Sequence, residues 1–182
     1  MVYVFLADGF EEVEALAPID MLRRAGIEVK TVGVGSTTPT GSHGVTVMAD
    51  ISEEIFYPDD NTRAIVLPGG TLGAANLEAS DTVQRAIRLA SDNITIAAIC
   101  AAPTILGRAG LLQLKKATAH PTRCAELGDS YVDKDIVYDA PYLTGRAAGM
   151  SIDFGLKLVE LLKDKETADN IAASICHERK GN

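Results

Sequence analysis

Cys100 has the setting of a nucleophile. It closes an apolar run of strand character, Thr95-Ile96-Ala97-Ala98-Ile99, and stands directly before a helix-type stretch, with small residues two places to either side at Ala98 and Ala102. Small-x-nucleophile-x-small is the steric signature of a nucleophile elbow, a tight strand-to-helix turn that lifts one side chain above a sheet. At the first turn of a helix the thiol would face unsatisfied N–H groups and the positive end of the helix dipole, which lowers a thiol pKa. The Ala101 N–H, with one from Gly69 or Gly70 of the Pro68-Gly69-Gly70 loop, would then form an oxyanion hole. A buried structural cysteine is the competing reading, because small residues also flank ordinary strand-to-helix turns.

Carboxylates supply the second chemical element. Glu11, Glu12 and Glu14 follow the first apolar run, and three acids in the first turn of a helix are favourable on dipole grounds alone. That account suffices for Glu11 and Glu12. Glu14 lies about one turn in, between Val13 and Ala15, where it can point back toward the strand ends; burial beside a thiolate would raise its pKa and suit it to general acid/base work. His120, before Pro121, is either a hydrogen-bonded structural histidine or a pocket residue. Cys124 follows four residues on, but one His and one Cys do not make a metal site. His43 and His177 occupy polar contexts. Arg146, in the loop Gly145-Arg146-Ala147-Ala148-Gly149, would contact an anionic group or brace a neighbouring carboxylate.

Positioning these residues requires a sheet. Residues 2–6 read as a buried parallel strand, residues 11–25 as a helix with Pro18 predicting a kink or a local reset and Gly26 its end, and residues 27–34 as the next strand. Residues 45–48 alternate like an antiparallel edge strand or hairpin. A buried strand at 63–67 ends on Pro68-Gly69-Gly70, residues 74–77 form a short helical turn, and Ser80 caps a further helix. After the strand at 95–99 a helix runs from about 101 to 109, closed by Gly110. Residues 117–121 are a short extended piece, residues 131–138 and 142–144 are strand-like, and an amphipathic helix passes through Ile152, Leu156, Val159 and Leu162. Residues 167–175 form a last helix outside the sheet. Alternating strands and helices give a doubly wound, mostly parallel α/β sandwich with ligands beyond the carboxyl ends of the strands, at loops 8–14, 68–73 and 100–103.

Composition sets the outer bounds. With 182 residues and 47% hydrophobic content the chain suits one core, so residues 1–182 are expected to be a single domain. The apolar start lacks a basic flank, and no run approaches the roughly 18 apolar residues of a membrane helix, so a soluble cytoplasmic protein is expected. The 17 basic against 25 acidic residues give a net charge of −8, and Arg23-Arg24 and Lys115-Lys116 are isolated pairs, which argues against nucleic acid and membrane partners. Cys100, Cys124 and Cys176 match no zinc spacing and read as free thiols; neither a metal nor a cofactor is expected.

Four stretches taken together, Ala7-Asp8-Gly9-Phe10-Glu11-Glu12-Val13-Glu14, Val66-Leu67-Pro68-Gly69-Gly70, Ala97-Ala98-Ile99-Cys100-Ala101-Ala102-Pro103 and Ala119-His120-Pro121, resemble the ThiJ/PfpI superfamily. The nearest branch is that of the Parkinson-disease-associated protein deglycase and its bacterial relatives. The resemblance implies a flavodoxin-like three-layer α/β sandwich, a homodimer, Cys100 as an oxidation-prone nucleophile and Glu14 as the carboxyl hydrogen-bonded to its sulfur. It places the oxyanion donors on Gly70 and Ala101, with Gly69 and Arg146 in support and His120 in the pocket. The activities it implies are conversion of methylglyoxal or glyoxal to a hydroxy acid without a cofactor, repair of early glycation adducts, and redox-regulated chaperone action.

Two departures bear on these expectations. Protease-like members carry histidine directly after the cysteine, where this chain has Ala101, which counts against peptide hydrolysis. The loop after Arg146 commonly continues Gly-Pro, where this chain has Ala147-Ala148, and that puts the pocket rim in question. The leading expectation is a glyoxalase or deglycase using Cys100 and Glu14; the alternative is a redox-sensing chaperone that oxidises Cys100 without turnover.

Overall fold

Alternate residues of the first strand go to opposite sides of a sheet, and the two sides define the core. The computed structural model describes residues 1–91 and 93–179. In β1 (Val2–Ala7), Val2, Val4 and Leu6 pack on one face with Leu22, Phe154 and Leu158, while Tyr3, Phe5 and Ala7 pack on the other with Leu77, Ile87 and Ile105. The first layer is supplied by α1 (Glu12–Arg24), α5 (Ser151–Leu162) and α6 (Lys165–Ser174). The second comes from α2 (Thr71–Ala79), α3 (Asp81–Ala86) and α4 (Pro103–Arg108). A strand covered on both faces must be apolar throughout, which is why β1 reads as a continuous hydrophobic run.

The remaining strands are β2 (Val29–Val34), β3 (Ile51–Ser52), β4 (Ala64–Leu67), β5 (Thr95–Ile99), β6 (Ile136–Asp139) and β7 (Tyr142–Gly145), in the sheet order β3-β2-β1-β4-β5-β7-β6. Every neighbouring pair is parallel except β6 and β7. The chain thus winds outward from β1 in both directions, and the crevice beyond the carboxyl ends of β1 and β4 is the topological switch point where such sheets bind ligands. This is the flavodoxin-like α/β architecture that the motifs implied. Among the described residues no helix is long and apolar enough to cross a membrane.

Local differences have local causes. Pro18 does not break α1, which is continuous from Glu12 to Arg24 and packs so closely on α5 that a Cβ on Gly155 would stand 2.8 Å from the Pro18 Cα. Of the two readings of residues 45–48, the structure has the hairpin: Gly41 donates to the Val45 carbonyl (2.9 Å) and Val47 to the Pro39 carbonyl (3.0 Å), with an antiparallel bridge between Thr40 and Thr46, and the sheet edge falls to β3. The short turn expected at 74–77 is the nine-residue α2, which starts directly after Gly70. The helix expected from 101 begins at Pro103, because Cys100 is left-handed and Ala101 and Ala102 complete a turn. Ser80 does cap α3, accepting from the Val83 N–H at 3.2 Å.

Candidate active site

Three parallel strands deliver their carboxyl ends to one place. β1 leads to Glu11 and α1, β4 to Pro68-Gly69-Gly70, and β5 to Cys100. Cys100 has φ of 64°, the left-handed region that costs an ordinary side chain roughly 1–3 kcal/mol and persists only where the surroundings impose it. They do so through both of its backbone groups: the Cys100 N–H donates to the Gly145 carbonyl of β7 (2.9 Å), and its carbonyl accepts the His120 N–H (2.8 Å). Ala98 and Ala102 are fully buried beneath it, so the small-residue spacing reflects the packing of the turn.

Glu14 is 1% exposed. Glu11 caps α1 by accepting the Glu14 N–H at 2.7 Å, which turns the Glu14 side chain inward. Its carboxyl there accepts the Gly69 N–H at 2.9 Å and faces the Cys100 thiol. Burial, with the nearby charge of Glu11, pushes the carboxyl up to about 7, against the hydrogen bonds from Cys100, Gly69 and Ala148 that pull it down. The thiol is pushed up to about 12, first by burial and then by the charge and hydrogen bonding of Glu14, with the Gly70 and Ala101 amides opposing. The expected lowering of the thiol by a helix N-terminus does not occur: α4 begins three residues later, and burial beside a carboxylate outweighs the amides. The two groups titrate as a pair that shares one proton between about 7 and about 12.

The choice between Gly69 and Gly70 as sulfur-facing donor resolves by occupancy. The Gly69 amide is committed to Glu14, so the donors facing Cys100 are Gly70 and Ala101. A Cβ on Gly69 would overlap the Glu14 carboxylate and stand 2.8 Å from the Cys100 Cβ. Gly70 has φ of 89° and would press a Cβ onto the Gly9 carbonyl. Both positions therefore require glycine.

His120 joins the elbow through its backbone. Its ring is held in its own turn, with Nδ1 2.8 Å from the Thr122 hydroxyl and accepting the Thr122 N–H at 3.3 Å. Arg146 takes the bracing role: Nη1 lies 2.7 Å from Asp133 and 3.8 Å from Asp135, and its N–H donates to the Asp135 carbonyl. One contributor carried no sequence signal, the Gly145 carbonyl, because backbone groups have no residue identity.

Glu12, read as a dipole residue, does more. Its buried carboxylate accepts the His43 N–H (2.6 Å), the Val45 N–H (3.4 Å), the Ser42 hydroxyl (3.3 Å) and His43 Nδ1 (2.9 Å). Burial opposes its charge, but the His43 bonds and the Val45 amide win and hold it at about 2. The loop it clamps walls one side of a hollow of about 660 Å³ beside Gly70, lined also by Asp8, Thr40, Thr71 and Leu72. Among the described residues, Glu11, Glu12 and His43 form a group whose potential ligand atoms lie within 4.8 Å of one another, each already held by hydrogen bonds of the loop and cap.

Comparison with known proteins agrees with this geometry. A sequence model of the DJ-1/PfpI family matches residues 1–161. The chain is 36% identical over 177 residues to Drosophila melanogaster "Protein dj-1beta", covering 94% of each. It is 32% identical over 165 residues to a Pyrococcus abyssi protein named a deglycase, covering 89% of this chain and 99% of that one. The solved structure titled "Toxoplasma gondii DJ-1, oxidized" superposes with a TM-score of 0.89 at 34% identity over 97% of both chains.

The shared proton has a stability signature. A buried acid retained to about 7 in the fold but released near 4.5 in the unfolded chain binds more protons when native, so stability falls as pH rises through that window. Relative to Glu14→Gln, which keeps an acceptor for Gly69, the wild type should lose about 3 kcal/mol between pH 4.5 and 7. Urea unfolding of both proteins across pH checks this; parallel profiles would refute the buried proton.

Proposed function

The chain belongs to the DJ-1/PfpI family, and from that premise we propose that it is an enzyme converting small 2-oxoaldehydes such as methylglyoxal or glyoxal, or the early glycation adducts they form, to hydroxy acids. The observation that carries this reading is the thiol and carboxyl sharing one proton beneath two unspent amides. The deglycase name of the Pyrococcus abyssi relative supports the class of reaction. Between about 7 and about 12 the proton rests on Cys100 and the charge on Glu14; for attack Glu14 takes that proton and leaves the charge on Cys100, where the Gly70 and Ala101 amides are aimed.

The Cys100 thiolate adds to the aldehyde carbon; a C–S bond forms, and the carbonyl electron pair moves to oxygen, which the two amides stabilise until Glu14 protonates it. The Glu14 carboxylate then removes the hydrogen of that carbon as a proton, giving an enediolate, and returns it to the adjacent carbon while the hydroxyl proton of the first carbon passes to the oxygen of the second. The first carbon is oxidised and the second reduced within one molecule, so no external electron acceptor enters. The resulting thioester is hydrolysed by water, releasing the hydroxy acid and restoring the thiol.

A second reading draws on the Toxoplasma gondii relative, whose structure is titled as oxidised. Two peroxide molecules in turn would each transfer one oxygen to Cys100 and leave as water, taking the thiolate through the sulfenate to the sulfinate, and the acid form of Glu14 would donate a hydrogen bond to it. The helix that holds Glu14 also leaves Val13 and Leu16 half exposed beside Val45, an apolar face that we assign to a second copy of the chain.

Three measurements follow. Methylglyoxal consumption and lactate release should fall at least about 1,000-fold in Cys100→Ser and about 100-fold in Glu14→Gln, as for loss of a nucleophile and of an acid/base group; equal rates in all three proteins would end the enzyme reading. Under mild peroxide, mass spectrometry should find oxygen on Cys100 first, and earlier oxidation of Cys124 or Cys176 would exclude the redox reading. Sedimentation should give a dimer that Leu16→Glu dissociates, whereas a monomeric wild type would leave that face without its partner.

A further inference from the structure

The hairpin that walls the hollow beside Gly70 brings His43 to Glu12, 31 residues earlier in the chain, and to its neighbour Glu11. His43 Nδ1 stands 2.9 Å from Glu12 Oε2, and an oxygen of Glu11 completes a set of three atoms that lie within 4.8 Å of one another. Backbone amides orient both carboxyl groups: Glu12 Oε1 accepts the His43 and Val45 N–H groups (2.6 and 3.4 Å), and Glu11 Oε2 accepts the Glu14 N–H at 2.7 Å. Such donors fix a carboxylate without exhausting it, since each oxygen has lone pairs to spare. Among the described residues no lysine or arginine forms an ion pair with Glu11 or Glu12, and the His43 side chain, 73% exposed, leaves the set open to solvent. Two carboxylates side by side attract a cation from solution. The N-terminal end of α1 opposes this with about half an elementary charge, less than either carboxylate carries.

We propose that Glu11, Glu12 and His43 form a binding site for a divalent cation of the zinc type, with water in its remaining positions. One imidazole nitrogen and two carboxylate oxygens suit zinc or nickel, whereas calcium and magnesium take oxygen ligands and monovalent copper takes sulfur. Ligand atoms at right angles on an ion with bonds of about 2.1 Å stand about 3.0 Å apart, close to the 2.9 Å between Nδ1 and Oε2. The ion therefore takes the place of the proton held between them, and the imidazole carries its own on Nε2. Ligands on opposite sides of the same ion stand about 4.2 Å apart, so rotation of the Glu11 side chain brings the third atom into reach. The ion ties the hairpin to the start of α1 and so fixes one wall of the hollow. No spacing motif announces the set, because its members belong to two segments of the chain, and it stands apart from the reaction proposed at Cys100.

The chain has three histidines, so the test is read ring by ring. Zinc titrated into the full-length protein at neutral pH, followed by nitrogen-15 NMR of the imidazoles, should move the His43 signals to a one-to-one end point and leave those of His120 and His177 in place. Magnesium at the same concentrations should move none of them. Glu11→Gln and Glu12→Gln each keep an oxygen for the amides that orient them, and each should weaken the zinc affinity read at the His43 ring more than about 10-fold, the least that loss of even an outer-shell partner costs. Cys100→Ser should bind as the wild type does. A His43 ring that ignores zinc, equal movement of all three rings, an affinity unchanged in both glutamine variants, or binding lost with Cys100 would each overturn the proposal. The first two are read on the wild type, whether or not the variants fold.

Discussion

One proton shared between two buried groups is the constraint from which the rest of the site follows. A carboxyl in the first turn of α1 and a thiol at the end of β5 face each other out of water, where neither ionises cheaply. Amides must therefore be brought to both: Gly69 to the carboxyl, Gly70 and Ala101 to the sulfur. They come from two chain segments far apart in sequence, the loop after β4 and the turn after β5. Parallel strands with a common carboxyl edge allow those segments to meet. An antiparallel arrangement would send alternate strand ends to opposite sides of the molecule.

The arrangement is held against its own cost. Cys100 is strained in φ, and the native carboxyl keeps its proton against solvent at the expense of stability near neutral pH. Offsetting these are the two layers of apolar side chains on β1 and the hydrogen bonds that fix the elbow from Gly145 and His120. The glycines at 69 and 70 belong to the same balance, since a methyl group at either position would occupy space already taken by Glu14, Cys100 or Gly9.

Much of the scaffold was legible because buried parallel strands must be apolar on both faces, so β1, β4 and β5 stand out as short hydrophobic runs that end at turn residues. The three loops that converge were readable for the same reason. Val45 to Met48 alternate in sequence but have no buried face in the fold, where Val45 and Met48 are exposed and the segment is held as a hairpin turn clamped by Glu12. The direction of the Cys100 shift was also misjudged from the chain alone. Helix polarity is visible in a sequence, but depth of burial and the nearness of Glu14 are properties of the fold. The Gly145 carbonyl was invisible, as backbone groups are the same in every residue but proline.

Because the site is built largely from backbone donors, residue types act in it chiefly by what they omit. Gly69 omits a side chain. Ala101 omits an imidazole, which has a consequence for charge. A thiolate beside an imidazolium is neutral as a pair, whereas Cys100 with Glu14 carries one negative charge once the first proton has left. Such a pair is poorly suited to anionic substrates and well suited to a neutral, electrophilic carbonyl, where the charge moves from sulfur to an oxygen that Gly70 and Ala101 can receive. The carboxyl, near 7, can then both give and take a proton without either step being strongly uphill. With alanine at position 101, the proton partner of Cys100 is the Glu14 carboxyl rather than an imidazole on the next residue.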